Sequence, residues 1–363
     1  MIGKWGGLAG LPQNVRIIIN NMIPTFDDGH PVDVYLSDVS ERDRPWDVHS
    51  YQRELVSGLY RLTSEQGSDF WRYADRMDDC SKLLDFVLKS NDLGECKLKL
   101  QMARFCRVRY CPVCQWRKSM MWRARFLLAL PKILAAYSDC QFIFQTLTIR
   151  NCELEELRLT VQKMAAGWKR LSESKDFPAI GYLRALEVTR AKDDRAHPHY
   201  HCLLMVPRSY FKSVKYLNYS KWVALWQRSL RVDYSPQLSV SVARSKAGAT
   251  EGVEAVRLAA MEVIKYSVKP GDLIGQVGLD GSGDLLNTSQ NWFSSTWLLE
   301  LTEQMHNVHA ISVGGVFRKF LSEKDPEDLI HPEGQELDEV LETDLHVFFG
   351  WRSSVKRYAK NDA

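Results

Sequence analysis

The segment HPHYHCLLMV, residues 197–206, joins three histidines to an apolar run. The run is typical of a buried strand, in which alternate residues point to the same face of the sheet. His199 and His201 therefore project together, with His197 just ahead of them. Two imidazoles on adjacent same-face positions can converge on one metal ion. Three histidines at alternate positions favour metal binding over hydrogen-bonded surface groups.

The elements around this segment alternate between strand and helix patterns. β-Branched and aromatic residues predict strands, and apolar spacings of three and four predict helices. The predicted order is a strand at 141–149, a helix at 154–171, strands at 181–189 and 199–206, a helix at 210–230, a strand at 237–242 and a helix at 253–268 that Pro270 stops. This β-α-β-β-α-β order predicts an α+β fold with a ferredoxin-like antiparallel sheet, helices on one face and the other face free for ligands.

Glu187 is a polar residue inside the predicted strand at 181–189. A buried carboxylate needs a partner, which is either a metal ion or an arginine such as Arg184 or Arg190. Two imidazoles with an added oxygen ligand suit Mn²⁺ or Mg²⁺ when a phosphate completes the shell, and Zn²⁺ is a further option.

The segment AMEVIKYSVKPG, residues 260–271, holds a second group of reactive side chains. Glu262, Tyr266 and Lys269 share one face if the segment is a single helix. A phenol is a weak nucleophile at its ordinary pKa of about 10, and a polarised phosphate and a nearby cation would assist its attack. The alternative is an ordinary amphipathic helix with one Glu–Lys contact.

The region before the first predicted strand carries a cysteine knuckle. We predict helices within residues 46–86 and from about Gln115 to Tyr137. The spacing of Cys106, Cys111 and Cys114 offers a corner for tetrahedral Zn²⁺, and the fourth ligand is open. A redox CxxC and three packed thiols are the alternatives.

Charge is distributed unevenly, although the net charge is only +3. Between Cys96 and Tyr137 there are ten basic residues and no acidic one. Such a field attracts polyanions, of which nucleic acid is the commonest. The residues that we predict to contact DNA are Arg104, Arg107, Arg109, Arg117, Lys118, Arg123 and Arg125.

Composition bears on the compartment and on membrane association. The 363 residues contain no run of about 18 apolar residues, so no membrane span is expected. The chain begins without a basic region followed by an apolar core, so we expect no secretory signal and a cytoplasmic location. In a reducing compartment the eight cysteines bind metal or pack rather than form disulfides.

Several segments resemble, in order and kind, the plasmid type of rolling-circle replication initiators, which are HUH endonucleases with one catalytic tyrosine. They are FQTLTI at 144–149, HPHYH at 197–201 and EVIKYSVK at 262–269, with RPWDVHS at 44–50, RMDDCSKLLDF at 76–86 and FCRVRYCPVCQWRKS at 105–119 upstream. The resemblance covers about residues 44–272. The predicted regions are an N-terminal arm at 1–45, a helical cysteine-containing region at 46–138, an HUH nickase domain at 139–272 and an acidic C-terminal region at 273–363.

The resemblance implies two metal sites. His199 and His201 would bind catalytic Mn²⁺ or Mg²⁺, and the third ligand would be Glu187 or His197, with Glu187 favoured. Cys80 matches the related plasmid proteins better than Cys96 as the fourth ligand of a structural Zn²⁺.

The resemblance also implies a reaction at the plasmid origin. Tyr266 would attack a phosphodiester, so that the 5′ phosphate becomes linked to tyrosine and the freed 3′ hydroxyl primes synthesis. Glu262 would activate water when replication ends, and Lys269 would lie near the phosphate. The DNA would be double-stranded for recognition and single-stranded for cleavage, with a host helicase and polymerase as partners.

Two other functions remain open from the sequence. A non-catalytic, zinc-dependent DNA-binding regulator would explain the basic span and the cysteines. A relaxase or transposase-type HUH nickase would share the metal and tyrosine chemistry. Trp222 and Trp226 either stack on bases of a bound strand or pack in the core, and core packing is favoured for at least one of them.

Overall fold

The computed structural model describes residues 26–27, 30–31, 33–90, 96–243, 253–264, 268–275, 277–321, 328–331 and 345–361. Within these ranges the helices are all too short or too polar to cross a membrane. Most of the acidic segment near residues 322–344 lies outside the described residues.

Helices and strands alternate through most of the described chain. The helices α1–α9 span Leu36–Val39, Pro45–Leu62, Asp69–Asp78, Pro112–Ala136, Leu157–Ser172, Tyr219–Leu230, Val253–Val263, Pro270–Ile274 and Ser289–Gln304. The strands β1–β9 span Leu83–Ser90, Cys96–Ala103, Cys140–Thr148, Gly181–Arg190, Ala196–Pro207, Leu238–Val242, Ile311–Gly315, Leu345–Arg352 and Arg357–Asn361. Phe26–Asp27 also pairs with His30–Pro31.

A five-stranded sheet has the order β6-β3-β5-β4-β7, and all neighbouring strands are antiparallel. Helix α5 connects β3 to β4, and α6 connects β5 to β6. The predicted α+β class and the predicted order of elements are therefore confirmed. The histidine strand β5 lies at the centre of the sheet, between β3 and β4.

Helices α5 and α6 cover one face of this sheet. Trp168 from α5 and Trp222 and Trp226 from α6 are buried in the same apolar core as Leu147 and Leu204 of the sheet. The Trp226 indole also donates to the Thr148 carbonyl. Both α6 tryptophans are thus core residues, so core packing is confirmed and base stacking is wrong for both.

The second face of the sheet is covered in part by α4 and α7. Phe126 and Val263 from these helices belong to one buried cluster with Phe142, Leu203 and Met205 of the sheet. The predicted free face is therefore wrong for this part of the sheet. The physical reason is that β5 changes from histidines to apolar side chains after His201, and those side chains must be removed from water.

A four-stranded antiparallel sheet has the order β9-β8-β1-β2. The helix predicted to continue as far as Phe86 is wrong at its end, because β1 is a strand from Leu83. Leu84 and Phe86 are two residues apart, so they project to one face of the strand, and both are buried. The boundaries predicted at residues 138 and 272 remain predictions, but β7, β8 and β9 bring residues after 272 into both sheets.

Candidate functional site

The pairing register brings three candidate ligands to the second face of the sheet. Glu187 on β4 is paired with His199 on β5, and His201 is two residues further along β5. Paired residues on adjacent strands project to the same face, and so do residues two apart on one strand. The strand pairing alone therefore places the carboxylate beside both imidazoles.

The Glu187, His199 and His201 side chains form one tight group, which we call the Glu-His-His cluster. The Glu187 Oε2 atom lies 3.0 Å from His201 Nε2 and 3.6 Å from His199 Nε2, and the two Nε2 atoms are 3.2 Å apart. Ligands at about 2.1 Å from one ion lie roughly 3.0–3.4 Å apart. Two of the three separations fall in this range and the third, 3.6 Å, lies just above it, so a small shift would let all three donor atoms bind one divalent cation.

The hydrogen bonds behind the cluster set the orientation of its first imidazole. His199 Nδ1 lies 3.1 Å from the main-chain carbonyl of His197, which can only accept, so His199 carries a proton on Nδ1. With that proton on Nδ1, a metal-binding ring would present its Nε2 lone pair toward Glu187 and His201. Three donor atoms this close need protons or a cation among them, and this donor set therefore fits a metal ion.

Glu187 stays ionised although its side chain is only 4% exposed. Burial raises the pKa of the Glu187 carboxyl, but contacts with His199 and His201 outweigh burial and hold the pKa well below its usual range. The second carboxylate oxygen, Oε1, is buried without a hydrogen-bond partner among the described residues, and the Lys269 ammonium lies 3.5 Å from it. A buried anion with one oxygen unsatisfied is suited to a further cation contact.

Arg184 and Arg190, the alternative partners of Glu187, have other contacts. Arg184 lies over the rings of Trp168 and Tyr200 and donates to the Ser312 hydroxyl. Arg190 forms an ion pair with Asp194 at 2.8 Å.

His197 lies outside this group. Its Nδ1 donates to the Asn151 side-chain oxygen at 2.6 Å, and its carbonyl holds His199. Burial, followed by the charge of His199, lowers the pKa of His197. The structure thus places Glu187 rather than His197 with the two histidines.

Sequence reasoning missed two residues behind the cluster, Thr146 and Asn151. The Thr146 hydroxyl lies 3.2 Å from His201 Nδ1, and Phe144 stacks on the His201 ring. The signal was the alternation within FQTLTI, which turns Phe144 and Thr146 to one face. The identity of the strand beside β5 was needed to use that signal.

The predicted helix at 253–268 is wrong at its C-terminal end. Helix α7 ends at Val263, and Lys269 is extended (φ −67°, ψ 141°) and begins α8 with Pro270 at its first position. Proline is favoured at that position because its missing N–H has no partner there. Glu262 lies half-buried in the last turn of α7, and Tyr266 lies outside the described residues.

A second group consists of Cys80, Cys106, Cys111 and Cys114, which we call the cysteine cluster. Cys80 follows α3, Cys106 lies after β2, and Cys111 and Cys114 lie at the start of α4. All four side chains are buried, and the shortest sulfur–sulfur distances are 3.6 Å and 3.7 Å. Four sulfurs bound to one Zn²⁺ at about 2.3 Å would lie about 3.8 Å apart. The side chain of Cys96 lies outside the described residues.

The main chain supports the cysteine cluster with hydrogen bonds to sulfur. The N–H groups of Cys106, Arg107 and Val108 donate to the sulfurs of Cys80, Cys114 and Cys106, respectively, at 3.3–3.4 Å. Hydrogen bonds from the other three thiols hold the pKa of Cys80 well below its usual range, whereas burial raises the pKa of Cys111 and the contact with Cys106 raises the pKa of Cys114. Donors aimed at sulfur stabilise the thiolate form, which is the form that binds metal.

The predicted DNA-contacting residues fall into two groups. In the first group the guanidinium N–H groups donate to main-chain carbonyls. Arg109 donates to Val308 and Arg123 to Ile264. Arg117 donates to both Leu329 and Ile330. Their N–H groups thus hold other segments of the chain in place.

The other four predicted residues are more accessible to a ligand. Arg107 and Lys118 are exposed, Arg104 is exposed and paired with Asp79 at 3.1 Å, and Arg125 is half-buried over Trp122. Their contact with DNA stays a prediction.

Comparisons with known proteins show which family this chain is similar to. Residues 97–359 match the Rep_1 family, described as "Replication protein". A "Protein rep" from Bacillus amyloliquefaciens is 30% identical over 87% of this chain and 94% of its own length, and a "Protein rep" from Lentilactobacillus hilgardii is 30% identical over 84% of this chain and 93% of its own length. No solved structure matches.

Proposed function

Because the chain belongs to the Rep_1 family of replication proteins, as the resemblance to plasmid initiators predicted, we propose that it starts rolling-circle replication by nicking one strand at the plasmid origin. The observation that carries this proposal is the Glu-His-His cluster with Lys269 beside it. A protein that only binds DNA has no need of three lone-pair atoms held within 3.6 Å of one another.

Glu187, His199 and His201 would hold a divalent cation, Mn²⁺ or Mg²⁺. When bound, this cation supplies positive charge that neutralises the phosphate oxygens during displacement. The side chains themselves keep the site ready: the imidazoles present their lone pairs, and Glu187 remains ionised. Burial of Glu187 and His199 excludes water and strengthens these electrostatic contacts.

Tyr266 is the proposed nucleophile. Its hydroxyl oxygen forms a bond to phosphorus, the bond from phosphorus to the 3′ oxygen breaks, and the phenolic proton ends on that oxygen. The products are a 5′-phosphotyrosine and a free 3′ hydroxyl, so the energy of the broken bond is kept for religation. Support comes from Lys269, which is three residues after Tyr266 and contacts Glu187 at 3.5 Å. Three residues span at most about 11 Å.

Lys269 and Glu262 have separate proposed tasks. The Lys269 side chain is 55% exposed, so its ammonium group can turn from Glu187 to a phosphate oxygen. Glu262 would accept a proton from water, or from a second attacking group, when replication ends. Glu262 lies in the last turn of α7 and is four residues before Tyr266 in the sequence.

The cysteine cluster would hold a structural Zn²⁺. The sulfur separations and the N–H donors support this assignment. The cluster joins the end of α3 to the start of the basic helix α4, so the cation would orient that helix for duplex binding.

The proposal is tested with supercoiled plasmid that carries the origin, in the presence of Mn²⁺. We expect the wild-type chain to form nicked circles and a covalent protein–DNA adduct, and Tyr266→Phe to form neither. Tyr219→Phe, at an exposed tyrosine on α6, is the matched control and should behave as wild type. Mass spectrometry of the DNA-linked peptide should identify Tyr266.

Two outcomes would favour the other functions. Binding of the origin with no nick or adduct under any divalent cation would indicate a non-catalytic regulator. An adduct that survives Tyr266→Phe, or that moves to another tyrosine, would remove the assigned nucleophile. Host helicase and polymerase are the proposed partners, since the freed 3′ hydroxyl is useful only to a polymerase.

A further inference from the structure

The two imidazoles of the Glu-His-His cluster receive their outer hydrogen bonds from different sources. His199 Nδ1 lies against a main-chain carbonyl, that of His197. His201 Nδ1 instead lies 3.2 Å from the Thr146 side-chain hydroxyl on β3, the residue paired with His201 in the ladder. The orientation of His201 therefore depends on a side chain that substitution can remove, whereas that of His199 does not.

We propose that Thr146 is a positioning residue of the Glu-His-His cluster: its hydroxyl accepts the Nδ1 proton of His201 and so keeps the Nε2 lone pair of that ring directed at the bound cation. The inference rests on the function proposed above in taking the ligand to be Mn²⁺ or Mg²⁺. It adds a residue that is not itself a metal ligand but that determines whether the ligand His201 is correctly oriented.

The chemistry of imidazole explains why His201 needs this partner. A neutral ring carries one proton, and either nitrogen can hold it. A proton on Nε2 would place an N–H where the cation must bind. An acceptor at Nδ1 favours the other tautomer, because only a proton on Nδ1 can form that hydrogen bond. Outer partners of this kind typically change metal affinity by about 10–100-fold.

Two contacts hold the ring in the position where Thr146 can act. Phe144, two residues before Thr146 on the same strand, stacks on His201 with ring centroids 5.8 Å apart and planes 17° apart. Glu187 meets the opposite nitrogen at 3.0 Å. The ring is thus restrained on its face and at both nitrogens, and Thr146 supplies the restraint that selects the tautomer.

The same strand offers a matched control. Thr148 is two residues after Thr146, and its hydroxyl donates to the Gln237 carbonyl rather than to a ligand of the cluster. Replacing either threonine by valine keeps the β-branched shape and removes one hydroxyl. A general weakening of β3 would therefore affect both variants, whereas loss of the tautomer partner would affect only Thr146→Val.

The experiment compares wild type, Thr146→Val, Thr146→Ser and Thr148→Val in the full chain. Mn²⁺ binding is measured by calorimetric titration, and nicking of origin plasmid is measured as a function of Mn²⁺ concentration. We expect Thr146→Val to bind Mn²⁺ about tenfold more weakly, while Thr146→Ser and Thr148→Val remain within about twofold of wild type. At saturating Mn²⁺ the nicking rate of Thr146→Val should largely return.

Each alternative result has a definite meaning. Unchanged Mn²⁺ affinity in Thr146→Val, or a loss in Thr146→Ser equal to that in Thr146→Val, would overturn the positioning role. A rate that stays low at saturating Mn²⁺ would also overturn it, because a structural defect would then be the cause. If wild type binds Mn²⁺ and the affinities differ as expected, but no nicking occurs, the proposed function fails while the positioning role stands.

Discussion

The cysteine cluster and the Glu-His-His cluster are built from metal-binding side chains in opposite ways. The first has four buried sulfurs from loops and a helix start, which leaves no ligand position for a substrate. The second has three donors on neighbouring strands, with His201 half-buried and a lysine at its side. Metal sites with four protein ligands usually have a structural role, whereas sites with three protein ligands and an open position are usually catalytic. The difference therefore predicts which changes damage folding and which damage only the reaction.

The largest effect is expected at the cysteine cluster. Cys111→Ser removes one of four ligands and should eliminate bound Zn²⁺, because a structural zinc contributes on the order of 10 kcal/mol to folding. Metal analysis and thermal unfolding check this, with Cys140→Ser, outside the cluster, as the control. Full zinc content in Cys111→Ser, with a melting temperature equal to that of the control, would contradict a structural zinc.

A loss confined to chemistry is expected at the Glu-His-His cluster. His201→Ala should reduce nicking by at least about 10²–10³-fold, because several kcal/mol of charge stabilisation are lost. Zinc content and duplex binding should stay as in wild type. His309→Ala, at an exposed histidine, is the control. Loss of duplex binding in His201→Ala would instead make this cluster structural and remove the contrast between the two regions.

A smaller and more selective effect is expected at Glu262. Glu262→Ala should nick the first strand normally but terminate replication about 10²-fold more slowly, the usual scale for losing a general base. Two-dimensional gels of replication products separate initiation from termination. Glu254→Ala on the same helix, at an exposed residue paired with Arg257, is the control. Normal termination products from Glu262→Ala would reject its role.

The smallest effect is expected on the basic surface beside the cysteine cluster. Arg107→Gln should weaken origin binding a few-fold and reduce the slope of log affinity against log salt by about one, the change expected for one lost phosphate contact. Nicking of a pre-melted origin should be unchanged. Arg228→Gln, at an exposed arginine paired with Asp176, is the control. An unchanged salt slope would remove Arg107 from the DNA-contacting surface.

Local sequence patterns predicted four of the five strands of the five-stranded sheet, and the edge strand β7 was not predicted. The strands observed at Cys140–Thr148, Gly181–Arg190 and Ala196–Pro207 overlap those predicted, because a period of two is visible within one segment. The helix predicted to reach residue 86 was wrong at its end because the deciding interactions are not local. Leu84 and Phe86 belong to a strand whose partners, β2 and β8, are remote in sequence, so the hydrogen bonds that decide the outcome are invisible locally.

The candidate ligands were predicted in kind, and the sheet decided how they meet. His199 and His201 were evident from alternation, and Cys106, Cys111 and Cys114 from spacing. The β4–β5 register decided that Glu187 meets the two imidazoles rather than an arginine. The β3–β5 register likewise decided that Thr146 contacts His201. Two charged or polar groups meet across strands only where the pairing aligns them, and pairing is a property of the whole sheet.

The amino-acid sequence by itself determined the α+β class, the family and the types of donor atom in both clusters. The class and the donor types follow from periodicity and spacing, which act over a few residues, and the family follows from the resemblance of several motifs in order and kind. Tertiary structure alone decided that α4 and α7 cover part of the second face of the sheet. It also decided that Lys269 lies outside the helix and contacts Glu187, and that Arg117 and Arg123 donate hydrogen bonds to main-chain carbonyls. Those outcomes depend on competition for burial and for hydrogen-bond partners among segments distant in the chain, which is settled only when the chain is packed.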